Sequence, residues 1–304
     1  PQANGSVRRK ARDRLKTQLE KGESTVKPII FSLAMATSLA APVSAQEAPD
    51  LEMWQLDCGT IELSDAGDFS DAHLYDGDER TLVVNCYLLR NADQYMLWDA
   101  GLSKDLIGIS YTEGAFTVSM KRSLVDQLAE LTLSPEDINF AAVSHYHFDH
   151  SSQLADFSES TLLTGVGDWE VVQATKEPNQ LVDPRPFAPW LGDDAAPVTA
   201  IARDHDVFGD GSVLIKATPG HTPGHTSLLV RLPEKGNVFL TGDLYHFEEQ
   251  VTNRGVPQFN TNRADTLASM ARFDAIGKSL GATVIIQHDP RHMDRLPAFP
   301  RSAK

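Results

Sequence analysis

The chain has 304 residues, of which 41% are hydrophobic and 23% charged, with a formal net charge of −15. That length is enough for one large domain with a proper core. The acidic balance repels phosphate backbones, so nucleic acid is excluded as the expected substrate or partner.

Residues 1–21 are rich in Arg and Lys. Lys21 and Lys27 precede a mostly apolar run from Pro28 to Ala41, and Val43-Ser44-Ala45 makes an A-x-A-like end. This reads as a secretory leader cleaved after about Ala45, with an uncleaved membrane-anchoring N-terminus as the alternative. At roughly 14 residues the run is short for a transmembrane helix. The expected organisation is therefore a leader, 1–45, and a single domain, 46–304, that is periplasmic or secreted and has no stable membrane span once the leader is removed. The leader holds eight Lys/Arg and three Asp/Glu, so the remainder carries a net charge of about −20. The sequence is silent on oligomeric state.

Met53–Leu63, Thr81–Leu89 and Gln94–Trp98 read as strands, the last ending at Asp99-Ala100-Gly101. Cys58 and Cys86 do not form a CxxC pair. They can bridge in an oxidising compartment, but the reading taken here is two buried thiols on separate strands. Leu124, Leu128 and Leu131 recur at helical spacing, which predicts an amphipathic helix over Ser119–Leu131. Ser134-Pro135 restarts the chain as an N-cap followed by Pro at the first helical position. Phe140–Ser144 reads as a short buried strand. Trp169–Ala174 reads as a short helix, and Pro178–Pro197, rich in Pro and Asp, as a loop or lid. Val213–Ala217, Ser227–Leu232 and Val238–Thr241 read as strands, Arg263–Leu280 as a long helix, and Ala282–Ile286 as a last strand. This mixture predicts an α/β architecture of two packed sheets with helices outside.

His145-Tyr146-His147-Phe148-Asp149-His150 places four potential metal ligands within six residues, directly after a strand. Imidazoles and carboxylates are the ordinary ligands of zinc and similar first-row metals. Four other segments carry matching groups: Thr218-Pro219-Gly220-His221-Thr222-Pro223-Gly224-His225, Thr241-Gly242-Asp243, His288, and Trp98-Asp99-Ala100-Gly101. A lone His is more often structural than ligating, but this combination predicts a metal centre.

With these motifs in place, the sequence resembles the metallo-β-lactamase-fold hydrolases, whose hallmark is His-x-His-x-Asp-His. Within them it is most similar to the N-acyl homoserine lactonase group. The likeness runs from about Leu56 to His288 and includes Asn85-Cys86-Tyr87-Leu88-Leu89 and Leu97-Trp98-Asp99-Ala100-Gly101. The resemblance implies an αββα sandwich and a site for two divalent metal ions, zinc by default. It implies that His145, His147 and His221 hold one metal, that Asp149, His150 and His288 hold the other, and that Asp243 bridges them. Two such cations hold a hydroxide at neutral pH and polarise a carbonyl. Asp149 is the candidate for passing a proton to the leaving alkoxide. Asp99 is expected to fix the tautomer of a ligand His, and His225 to support the site from behind. The lactonases place a Tyr three residues after the bridging Asp. Here Tyr245 comes at two and His246 at three, so both are candidates for contact with the substrate carbonyl.

The resemblance implies a hydrolase that opens lactone rings, acyl-homoserine lactones above others. An exported organophosphate or aryl-ester hydrolase is the alternative, because its metal set looks the same. An iron-dependent redox relative and a non-catalytic zinc-binding protein are further readings. Asp243 argues against β-lactamase activity, and Tyr245–Gln250 lacks the segment expected of glutathione thioesterases. For the substrate, Phe148 is the first candidate pocket residue because it sits inside the ligand run. Phe116, Trp169, Phe187, Trp190, Phe247 and Phe259 are further candidates, each more simply read as core.

Overall fold

The computed structural model describes residues 50–179 and 181–304. The leader assigned to 1–45 lies outside the described residues. In chain order the strands and helices are β1 (Leu51–Leu63), β2 (Arg80–Asn91), β3 (Gln94–Trp98), β4 (Ser110–Glu113), β5 (Phe116–Ser119), α1 (Leu124–Glu130), β6 (Ile138–Ala142), α2 (Phe148–Ser151), β7 (Thr161–Gly165), α3 (Val166–Ala174), β8 (Val198–Ile201), β9 (His205–Asp206), β10 (Val213–Ala217), β11 (Thr226–Leu232), β12 (Gly236–Leu240), α4 (Glu248–Asn253), α5 (Arg263–Leu280) and β13 (Thr283–Ile285). No helix among the described residues is long and apolar enough to cross a membrane.

The strands form an eight-stranded sheet in the order β4-β5-β1-β2-β3-β6-β7-β8 and a five-stranded sheet in the order β13-β12-β11-β10-β9. Alternation along the strands decides how they pack. On β11, Leu228, Val230 and Leu232 face the other sheet and meet Met53, Tyr87, Leu89 and Trp98. Leu229, between them, faces outward with Phe239 onto Met270 and Phe273 of α5. Phe239 and Phe273 stack with ring centroids 3.8 Å apart. Leu82, Val84, Cys86 and Leu88 of β2 point to the opposite face of the larger sheet, where α1 and α3 lie. The result is helix, sheet, sheet, helix: the expected αββα sandwich.

Three expectations need correction. The predicted helix over Ser119–Leu131 begins only at Leu124, where Ser123 and Asp126 form a capping box. Phe116–Ser119 is instead a strand, because it pairs with Thr60–Leu63 on the open edge of β1. The lid expected at Pro178–Pro197 is held down. It contains a 3-10 turn, Arg185–Trp190, whose Phe187 and Trp190 are buried, and the Trp190 indole donates to the Ser160 carbonyl. Those two rings are therefore core. Third, Cys58 and Cys86 are not free thiols but a disulfide, with Cα atoms 5.9 Å apart. The register of β1 against β2 shifts between Asp57 and Gly59, so Cys58 is the extra residue of a β-bulge and reaches Cys86 across the ladder. Gln127 of α1 bonds both the amide and the carbonyl of Asp57, satisfying the backbone that the bulge releases.

The topology gathers strand ends. β3 and β6 are parallel neighbours, as are β12 and β13. Asp99 follows β3, His145 follows β6, Asp243 follows β12 and His288 follows β13, while the β10–β11 turn carries His221 and His225. All the candidate ligands thus emerge at one end of the sandwich.

Candidate metal centre

The structure brings the candidate ligands into two groups that share one carboxylate: His145, His147, His221 and Asp243, and Asp149, His150, Asp243 and His288. In the first, His145 Nε2 lies 2.9 Å from His147 Nδ1 and 3.2 Å from His221 Nε2, and the latter two are 3.0 Å apart. In the second, His150 Nε2 and His288 Nε2 are 3.0 Å apart, and Asp149 Oδ2 lies 3.7 and 3.5 Å from them. Asp243 faces both groups. Its Oδ1 is 3.0 Å from both His150 and His288, and its Oδ2 is 3.4 Å from His221 and 3.7 Å from His145.

The outer nitrogens of the rings show why these groups suit cations. His150 Nδ1 lies 3.0 Å from Asp99 Oδ2, His221 Nδ1 2.8 Å from Asn260 Oδ1, and His288 Nδ1 2.9 Å from the Val83 carbonyl. Each partner only accepts, so Nδ1 carries a proton and Nε2 faces inward, where its lone pair binds a cation whenever it is unprotonated. Lone pairs about 3 Å apart repel unless a cation lies between them. Four ligands at about 2.0–2.1 Å from a zinc ion are mutually spaced by about 3.3 Å, close to the separations here. Asp243 Oδ1 is buried without a hydrogen-bond donor, which a cation would satisfy. The residues present fit two metal ions.

Electrostatics separates the two groups. Burial holds the pKa of His145 and His221 well below the usual value and lowers that of His147 to about 4. Burial opposes charge on His150 and His288 too, but Asp243 and Asp149 outweigh it and raise both. Burial likewise opposes charge on Asp243, and the surrounding imidazoles, His150 first, hold it well below the usual carboxylate range. Protons therefore compete with metal for the second group more than for the first, where burial favours the neutral rings. Lowering the pH from 8 to 6 should therefore weaken metal binding in the second group and leave the first nearly unchanged. Calorimetric titrations in buffers of different ionisation enthalpy, which count the protons released, check this. Equal pH dependence of both binding steps would refute it.

The supporting residues have defined partners. Asp99 lies at φ +62° and accepts from the Ser144 amide through Oδ1 while Oδ2 faces His150. His225 points its Nδ1 at the Thr218 carbonyl and accepts from the Asp243 amide through Nε2, so it holds the bridging residue's backbone from behind. Phe148 is 46% exposed at the start of α2. His246 places Nε2 3.1 Å from Asp243 Oδ2. Tyr245 corrects an expectation. Its ring is buried with Phe273 and Met270, and its hydroxyl bonds Asp274 and Arg254, so it faces away from the cluster. Tyr245 is extended (φ −138°, ψ 138°), which sends the next side chain to the other side, and only His246 turns inward.

Several functional neighbours were not singled out from the sequence. Asn260 and Gln287 carry no motif, although Gln287 directly precedes His288. Asp168 of α3, fully buried, accepts from Thr222 Oγ1 and the Gly224 amide, fixing the turn that bears His221. Burial pushes its carboxyl up to about 7 against those donors. The turn fits because a Cβ at Gly165 would stand 1.8 Å from the Gly224 carbonyl oxygen, which no larger residue allows. Phe69, from a 3-10 turn between β1 and β2, sits edge-on to His246 with centroids 4.9 Å apart. Phe259 meets Phe69, His221 and His246, and Phe116 meets Phe69. These rings make one apolar wall beside the cluster. Trp169 and Phe247 are buried in the core of the larger sheet.

A family model for the metallo-beta-lactamase superfamily matches residues 80–288. The chain is 28% identical over 186 residues to the N-acyl homoserine lactonase AttM of Azorhizobium caulinodans, covering 59% of this chain and 67% of that protein. It is 27% identical over 235 residues to an N-acyl homoserine lactonase of a Bacillus species, covering 74% and 88%. Its fold is similar to that of an N-acyl homoserine lactone hydrolase solved with the product N-hexanoyl-L-homoserine at its catalytic metal centre (TM-score 0.70, 23% identity, 83% of this chain and 98% of the other). The match spans more than half of the residues and includes every ligand of both groups: the chain belongs to the metallo-beta-lactamase superfamily.

Proposed function

We propose that this protein is a two-metal hydrolase of ester bonds that opens lactone rings, with N-acyl homoserine lactones as the substrate class. The observation that carries the proposal is Asp243, whose two oxygens face two separate ligand groups. Likeness to proteins named as N-acyl homoserine lactonases supports the substrate class. The imidazole-rich set favours zinc. Two such ions supply a water nucleophile at neutral pH and polarise the carbonyl under attack.

The residues of this chain do the rest. Asp243 fixes the spacing of the two groups. Asp149, also buried but slightly more open to solvent than Asp243, is the group to carry a proton to the departing alkoxide. His246 stands where the lactonases' Tyr is expected and presents Nε2 beside Asp243 Oδ2, where it can donate to oxygen. The half-buried rings of Phe259 and Phe116, backed by the buried Phe69, offer an apolar surface to an acyl chain, which burial against it stabilises by about 0.8 kcal/mol per methylene. The Cys58–Cys86 bridge supports an oxidising, exported location, periplasmic or secreted.

The test is acid release by zinc-loaded protein across lactones, aryl esters, phosphotriesters and β-lactams. Preference for acyl-homoserine lactones is expected. Preference for phosphotriesters or aryl esters would replace the substrate class and keep the site. His246→Phe should lower kcat/KM for the lactone by about 10–100-fold with both metals retained, while His246→Gln recovers part of the loss. Wild-type kinetics in His246→Phe would remove this residue from the mechanism.

A further inference from the structure

Gln287 is fully buried, and its amide joins the strand end at Trp98-Asp99 in the larger sheet to Gly242 after β12 of the smaller one. Its Oε1 accepts from the Trp98 indole (3.1 Å) and the Gly242 amide (3.0 Å), and its Nε2 donates to Asp99 Oδ2 (2.9 Å). Both groups facing Oε1 can only donate, so the amide has one possible orientation. Its main-chain carbonyl accepts from the Asn85 side chain at 2.6 Å.

These bonds converge on one half of the site. Asp99 is the carboxylate that aims His150. Gly242 immediately precedes Asp243 and lies at φ +55° in the turn that presents it. His288 is the next residue in the chain. The same amide therefore sets His150 through Asp99 and His288 through the backbone, and it braces Gly242 beside Asp243, whose own amide is held by His225. In the first group His221 is supported elsewhere, by Asn260, while the Ser144 hydroxyl lies between His145 and His150 at 3.0 and 3.2 Å.

We propose that Gln287 is a positioning residue for the second metal: His150 and His288 depend on it for alignment, whereas His221 of the first group rests on Asn260 and the shared Asp243 on His225. This rests on the two-metal reading above. Gln287→Glu keeps the length and the acceptor for Trp98 and Gly242, but it removes the donor to Asp99 and sets two carboxylates together.

The experiment is zinc binding by competition with a chromophoric chelator, with each position's occupancy read by anomalous scattering from crystals. Wild type should hold two zinc ions. In Gln287→Glu the affinity of the Asp149/His150/His288 position should fall by about 10–100-fold, while the other stays within about threefold. Gln287→Met should do the same. If it fails to fold, the Glu variant carries the test alone. Gln127→Met, which removes another fully buried amide away from the cluster, should lower Tm and leave both zinc affinities unchanged. Unchanged affinities in Gln287→Glu, or equal weakening of both positions, would overturn the inference while the two-metal reading stands. A wild type that binds only one zinc would overturn both.

Discussion

Replacing Asp243 by Ala should abolish turnover and reduce bound metal together. No other residue belongs to both ligand groups. Its carboxylate is held well below the usual range by His150, His288, His246 and His145 despite burial, and removal leaves five imidazoles with one fewer counter-charge. Loss of a mere supporting partner costs about 10–100-fold in metal affinity or activity, so loss of the shared ligand should exceed the top of that range. His221→Ala should empty the first group with a similar loss of activity. Metal analysis after gel filtration, alongside lactone hydrolysis, is the measurement. Two retained metals and near-normal rates in both variants would overturn the site assignment.

Reducing the Cys58–Cys86 bridge should be the largest single loss of stability. The two residues are 28 apart in sequence, and closing a loop of that length stabilises by about 3–4 kcal/mol in the chain-entropy account. For a domain of this size that corresponds to a fall in Tm of roughly 10 °C. A Cβ at Gly101 would stand 2.5 Å from that of Cys58, and the Leu102 amide donates to the Cys58 carbonyl, so the bridge buttresses the turn that begins at Asp99. Calorimetry of wild type with and without reductant, and of Cys58→Ala/Cys86→Ala, tests this. A Tm unchanged within about 2 °C would show that the bridge contributes little.

Much of the site was legible without coordinates. His145, His147, Asp149 and His150 are close in sequence, and His221, Asp243 and His288 sit in short motifs after apolar runs. Ligand type and local spacing are properties of the chain itself. The core strands and α5 were legible for the same reason: alternation and helical spacing are local signals, and Asn262 caps α5 by accepting from the Ala264 and Asp265 amides. The short strands β4, β5, β7, β8 and β9 were missed. They contain two to five residues each and are defined by the partner they pair with.

The sequence by itself determined the fold class, the acidic character and the set of groups that converge at the strand ends, because patterning and ligand chemistry are written residue by residue. Only the tertiary structure decided what depends on distance between remote segments. It paired Cys58 with Cys86 through a bulge that no pattern announces. It turned Tyr245 toward Arg254 and Asp274 and His246 toward Asp243, because the extended backbone at Tyr245 sends the next side chain to the opposite side. It brought in two ordinary amides of the sequence: Asn260, because the His221 Nδ1 turned away from the cluster needs an acceptor, and Gln287, because it donates to the Asp99 carboxylate that faces His150.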